Sequence, residues 1–132
     1  MVDPLGFLLT SIRDDPTVAA ITTRIRGEEP AQSDEPPLVL IRTFPITRDR
    51  RLPIGRYQYL IQTYGTSYKQ AAQLRSAVSD TVQDLEPRVS ASGVGIYQSF
   101  TETEGQAQLD PDTQWPFHTL IVVVWAATTV IA

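Results

Sequence analysis

Residues 115–130, WPFHTLIVVVWAATTV, decide the fold class of this 132-residue chain. The run from Leu120 to Trp125 is β-branched and aromatic, which is the composition of a buried strand. Membrane insertion is the competing interpretation, but the apolar run is shorter than the ~20 residues of a spanning helix, and threonines interrupt it. The stretch therefore predicts a long final strand, from Trp115 to about Val130, that is apolar on both faces.

A second informative stretch is residues 67–87, SYKQAAQLRSAVSDTVQDLEP. Ser67 and Gln70 form a capping-box pattern, in which the two side chains satisfy free backbone donors at a helix start. Pro87 cannot continue a helix. Between them, apolar residues recur at helical spacing: Ala71, Leu74, Val78, Val82 and Leu85. We expect a helix of about five turns that packs one stripe against a sheet.

The remaining segments complete an α+β pattern. Asp3-Pro4 and Asp15-Pro16 are cap-then-proline signals, which predict a helix of about three turns and a shorter one ending near Thr22. Extended residues follow around Arg24 to Arg26, and strands are predicted over 38–44, 56–64 and 94–103, with loops over 28–37 and 45–55. We predict one domain over residues 1–132: a mostly antiparallel sheet of about four strands, backed by one long helix, with N-terminal helices.

Composition argues against an enzyme. The chain has no Cys, one His and a formal net charge of −4, which excludes thiol chemistry and argues against bulk nucleic-acid binding through phosphate neutralisation. Neither a G-x-S-x-G elbow nor a phosphate-binding P-loop occurs. His118 is interpreted as a partly buried, hydrogen-bonded ring, and Asp110-Pro111-Asp112 as a turn rather than a cation site. We therefore predict no catalytic, cofactor-binding or metal-binding residues and no cofactor.

Charge is distributed unevenly along the chain. Residues 1–41, 42–75 and 76–132 carry net charges of −4, +6 and −6. The basic excess surrounds one predicted hairpin and the acidic excess another, which favours contact between different patches of neighbouring subunits. Solvated loops, or pairing within one subunit, are the alternatives. The candidate interface residues are Arg48, Arg50, Arg51, Arg56, Glu102, Glu104, Asp110 and Asp112.

The order of these segments resembles the tail terminator, or tail-completion, family of long-tailed bacteriophages. The resemblance lies in Asp15-Pro16-Thr17-Val18-Ala19-Ala20-Ile21 before Arg24-Ile25, in the strands 38–41 and 57–64, in Ser67 to Leu74, and in the closing strand 117–125. It implies an α+β fold and a homohexameric ring at the head-proximal end of the tail tube. Such a ring stops polymerisation of the tube protein and presents a surface to the head connector. The family has no catalytic residues to transfer.

The resemblance also sets the expected partners and location. The partners are other copies of the chain, the tail tube protein and a head-tail connector or stopper protein, without specific nucleic-acid or membrane binding. The location is the virion, at the head-proximal end of the tail, after assembly in the host cytoplasm. Another neck-ring component, such as an adaptor or stopper, is the first alternative. A small ligand-binding or enzymatic α+β domain is the second.

Overall fold

Helices cover one face of a mostly antiparallel sheet in the computed structural model, which describes residues 5–27, 34–43, 47–48, 54–83, 88–89, 94–105 and 107–128. The helices are α1 (Leu5–Asp14), α2 (Pro16–Ala19) and α3 (Tyr68–Gln83). The strands are β1 (Ile25–Gly27), β2 (Leu38–Thr43), β3 (Thr47–Arg48), β4 (Ile54–Tyr64), β5 (Arg88–Val89), β6 (Val94–Glu104), β7 (Gln108–Leu109) and β8 (Pro116–Thr128).

The sheet is built from two long hairpins that α3 connects. In the first, β2 and then β3 pair with β4; in the second, β6 and then β7 pair with β8. The two hairpins join through eleven antiparallel residue pairs between β4 and β8, so the path across the sheet is β1-β2-β4-β8-β6-β5. Only the β1–β2 pair is parallel among these strands. The predicted α+β class, with a mostly antiparallel sheet backed by a long helix, is confirmed.

The main core lies between the sheet and the helices. Side chains alternate between the two faces of a strand, and Tyr57, Tyr59 and Ile61 of β4 all point to the helix side, where they are buried. Leu74 and Val78 of α3 pack into the same cluster. It also includes Leu8, Ile12, Val18, Val82, Leu120, Val122 and Val124. The apolar stripe predicted for the long helix is therefore its sheet-facing side.

The opposite face of the sheet carries a smaller apolar cluster. Leu38, Leu40, Tyr64 and Phe117 are buried there, with Trp115 packed against them. The Tyr64 ring lies 5.0 Å from the Phe117 ring, centroid to centroid, and 6.1 Å from the Trp115 ring in an edge-on arrangement. Both faces of β8 are thus apolar, as its sequence predicts. Within the described residues, the three helices contribute to the first cluster and not to this one.

The second and third helices begin where the capping signals predict, and the second differs in length. The Asp15 carboxylate accepts hydrogen bonds from the main-chain N–H groups of Thr17 and Val18 at the start of α2. However, α2 ends at Ala19, and the turn that follows it is closed by hydrogen bonds from the Ile21 and Thr22 N–H groups to the Val18 carbonyl. The Thr22 hydroxyl donates to the Pro37 carbonyl, 2.7 Å away, and accepts from the Arg24 N–H. The predicted end near Thr22 was therefore too late.

The long helix is capped slightly differently from the predicted box. The Ser67 hydroxyl accepts from the Gln70 N–H at 3.1 Å, as expected. The Gln70 side chain, however, accepts from the N–H and hydroxyl of Thr66 rather than from Ser67. Asp3, Pro4 and Leu85 lie outside the described residues.

The strand predictions hold for the four long strands and for the extended residues around Arg24 to Arg26, where β1 lies, and they miss the three two-residue strands. The interval 45–55 was predicted as a projecting loop, but Thr47 and Arg48 pair with Arg56 and Gly55 and extend the ladder. β5 and β7 are likewise two-residue strands. Strands of two residues are too short to show a periodicity in the sequence. The strands with which they pair determine where they form.

Two glycine substitutions test the turn that leads into α3. A Cβ on Gly65 would lie 2.5 Å from the main-chain nitrogen of Ala71, whereas a Cβ on Gly6 in α1 meets nothing within 4 Å. We expect Gly65→Ala to lower the free energy of unfolding by about 1–3 kcal/mol through overpacking. Gly6→Ala is the matched control and should raise it by up to about 1 kcal/mol through helix propensity. Urea denaturation measures both, and equal effects of the two substitutions would contradict this account.

Candidate functional site

The tips of the two hairpins lie at opposite ends of the sheet. Ile54 pairs with Ala127 near the tip of the first hairpin, and Leu109 pairs with Pro116 near the tip of the second. Pro116 and Ala127 are eleven residue steps apart along β8. At about 3.3 Å per residue, the two tips are separated by about 36 Å. Arg48 and Arg56 therefore lie near one end of the sheet, and Asp110 and Asp112 near the other.

The basic end is the tip of the first hairpin. Arg48 in β3 pairs with Gly55, and Arg56 in β4 lies opposite Thr47 on one side and Trp125 on the other. The register thus brings Arg48 and Arg56 to the same end. Arg50 and Arg51 lie outside the described residues.

The acidic end is the turn between β7 and β8. The Asp110 carboxylate accepts hydrogen bonds from the N–H groups of Asp112 and Thr113, at 2.9 and 3.1 Å, and from the Tyr64 hydroxyl. These bonds, that of the Thr113 N–H first, lower the pKa of Asp110 below its usual value. Burial and the nearby Asp110 carboxylate raise the pKa of Tyr64. The turn predicted for Asp110-Pro111-Asp112 is confirmed, and Asp112 is exposed there.

The other two acidic candidates lie within β6. Glu104 pairs with Leu120, and Glu102 lies at an irregularity between Thr101 and Thr103. Leu120 is four steps along β8 from Pro116, so Glu104 is about 13 Å from the start of that strand. The four acidic candidates therefore do not form one cluster, and pairing of Asp110 or Asp112 with the basic hairpin of the same subunit is excluded by distance.

A cleft opens beside the acidic turn. Its volume is about 280 Å³, and it is lined by Glu35, Pro36, Gly65, Thr66, Gln114, Trp115 and Pro116. Gln114 has a positive φ of 62° and donates its side-chain amide to the Pro111 carbonyl, which fixes this wall of the cleft. The Arg24 guanidinium donates to the main-chain oxygen of Glu35 and not to its carboxylate. Sequence reasoning missed this cleft because residues from three separate segments form it.

A shallower groove lies on the side of the molecule that the helices cover. It runs between α2 and α3, with a volume of about 500 Å³. Exposed Lys69, Gln73, Ser76 and Asp80 stand along its α3 side. Their mixed polarity is that of a solvated helix face.

His118 is a buried ring that contacts Arg75, as a structural histidine does. Its Nδ1 lies 3.0 Å from Nη1 of Arg75, which also donates to the Gly105 carbonyl at 3.3 Å. The ring is buried, and both burial and the Arg75 charge lower the pKa of His118. The Arg75 Nε atom is buried without a hydrogen-bond partner. The sequence did not single out Arg75, because its contact with His118 depends on how α3 packs beside β8.

Neither a metal-binding cluster nor a membrane-spanning helix occurs in the described part of the chain. No group of three or more His, Cys, Asp or Glu side chains is arranged to hold a metal ion there. Among the same residues, no helix is long and apolar enough to cross a membrane.

Comparison with known proteins places the fold. No protein-family model and no curated protein matches the chain. Among solved structures, a chain from the "Virion of native gene transfer agent (GTA) particle" is similar, with a TM-score of 0.68 and 12% sequence identity, over 91% of each chain. At this identity the similarity shows a shared fold.

The His118 environment predicts a dependence of stability on pH. Because the folded state lowers the pKa of His118, the unfolded chain binds more protons as the pH falls below about 6.5, and stability declines there. His118→Gln removes the titrating group and should abolish most of the decline between pH 7 and pH 5, where carboxylates change little. Thermal denaturation at both pH values measures this. An unchanged decline in the variant would assign the effect to other groups.

Proposed function

We propose that this chain is a structural virion protein that forms a homohexameric ring at the head-proximal end of a phage tail tube. In this role it ends polymerisation of the tube protein and joins the tail to the head connector or stopper protein. It acts through shape and binding surfaces, without catalysis or a cofactor. It assembles in the host cytoplasm and remains in the virion.

The observation that carries the proposal is the fold shared with a chain of a gene transfer agent virion over 91% of both chains. Two further features support it. The sheet presents a basic hairpin at one end and an acidic turn at the other, about 36 Å apart, as a subunit with two different contacts requires. The sequence also resembles tail terminators in the order and spacing of its segments.

The first test uses isolated tail tubes. The purified chain should bind one end of each tube, stop further addition of tube protein, and appear there as a ring with six-fold symmetry in electron micrographs. Binding to portal complexes but not to tube ends would instead identify an adaptor or stopper of the neck. A monomer or dimer bound at the tube end would overturn the ring.

The second test reverses the basic hairpin. Arg48→Glu, Arg50→Glu and Arg51→Glu together should abolish docking without unfolding the domain, whereas Arg51→Glu alone should be tolerated, because one exposed ion pair contributes about 0–1 kcal/mol. The control variant replaces the same three arginines with lysine and should dock, with the same weakening at raised salt as the wild type. Circular dichroism verifies folding, and pelleting with tubes measures docking. Undiminished docking by the triple reversal would make the hairpin a solvated surface.

A charge exchange then identifies the partner of the hairpin. If the acidic residues of a neighbouring subunit are the partners, substituting Lys at Glu102, Glu104, Asp110 and Asp112 should restore assembly of the arginine-reversed chain. Failure of this rescue would direct the arginines to another protein of the tail.

A further inference from the structure

The cleft beside the acidic turn has the chemistry of a guanidinium site. Trp115, Pro36 and Pro116 supply its apolar walls, and Glu35 stands at its rim with Asp112 exposed on the adjoining turn. Arginine binds best where an aromatic surface and a carboxylate are both in reach, because its planar cation stacks and forms charged hydrogen bonds. Neither Glu35 nor Asp112 has an ion pair with another described residue. At about 280 Å³, the cleft suits one long side chain rather than a folded segment.

We propose that this cleft receives an arginine of the basic hairpin of a second copy of the chain, so that subunits join head to tail along their strands. The inference rests on the proposed function, because it assigns the contact between ring subunits. Charge complementarity selects the occupant. The interval 47–56 carries four arginines and one aspartate, and its described residues Arg48 and Ile54 lie at the end of the sheet opposite the cleft. An end-to-end contact joins two different surfaces, and such a contact generates rings or filaments.

The length of the sheet sets the size of a ring of six copies. In a regular hexagon the distance from centre to corner equals the side. A repeat of about 36 Å therefore places the contacts about 36 Å from the ring axis. In such a ring the strands of each subunit run around the circumference.

Engineered disulfides test the contact directly, because the chain has no Cys. One variant carries Gln114→Cys in the cleft wall and the other carries Thr47→Cys on β3, which leaves every arginine of the basic hairpin in place. Rings formed at tube ends from an equal mixture of the two should yield crosslinked dimers under oxidation, whereas rings of either variant alone should yield none. A chain with both substitutions should give a ladder of covalent multimers up to six. Gln73→Cys, on the exposed side of α3, replaces Gln114→Cys as the matched control and should lose the crosslink.

Every result of this experiment decides the inference. Crosslinks in the mixture alone support it, and their loss when Glu35→Lys is added to the Gln114→Cys chain assigns the contact to the charged cleft. Crosslinks within a single variant would show a two-fold contact and overturn it. Six-fold rings at tube ends without crosslinks would also overturn it, while leaving the proposed function intact. Absence of rings at tube ends would instead contradict the proposed function, and the inference with it.

Discussion

The antiparallel ladder between β4 and β8 is the constraint on which the rest of the molecule depends. Its eleven residue pairs join the two hairpins into one sheet. Both β4 and β8 begin just after the tip of their hairpin. Because the two strands are antiparallel, the ladder places the two tips at opposite ends of the sheet. It also aligns Tyr57, Tyr59 and Ile61 with Leu120, Val122 and Val124 as one apolar surface under the helices. Separation of the charged ends and formation of the core therefore have one cause.

Sequence reasoning predicted the elements whose periodicity is long enough to read. The helix 68–83 and the strands 38–43, 54–64, 94–104 and 116–128 follow from capping residues, helical spacing and β-branched composition. It did not predict β3, β5 and β7, because strands of two residues are set by the neighbours with which they pair. Nor did it predict that α2 stops at Ala19, or that the Thr22 hydroxyl bonds to the Pro37 carbonyl, which is distant in sequence.

The candidate site shows the same limit. Uneven charge along the chain was visible in the sequence, but the distance between the two charged tips follows from which strands pair and in which direction. Asp110 illustrates the difference. Its turn was readable from Asp-Pro-Asp, whereas its bond to Tyr64 depends on the pairing of Tyr64 with Phe117, which brings the end of β4 beside the start of β8. The cleft with Trp115 and Glu35 required the tertiary structure for the same reason.

The proposed contact also accounts for a requirement of ring assembly, which is that subunits must not polymerise before they reach the tube. A guanidinium in a small, partly exposed cleft supplies a weak contact, since exposed ion pairs contribute about 0–1 kcal/mol. Two free subunits joined by one such contact separate readily. In the proposed ring each subunit would also be held by the tube, so neighbouring ends would meet at a high effective concentration and the same weak contact would be sufficient. Closure of the ring then leaves no unpaired end, because the last cleft receives the first hairpin. Charges at the ends of the sheet thus limit growth to the closed ring, whereas an exposed apolar end would associate wherever two subunits met.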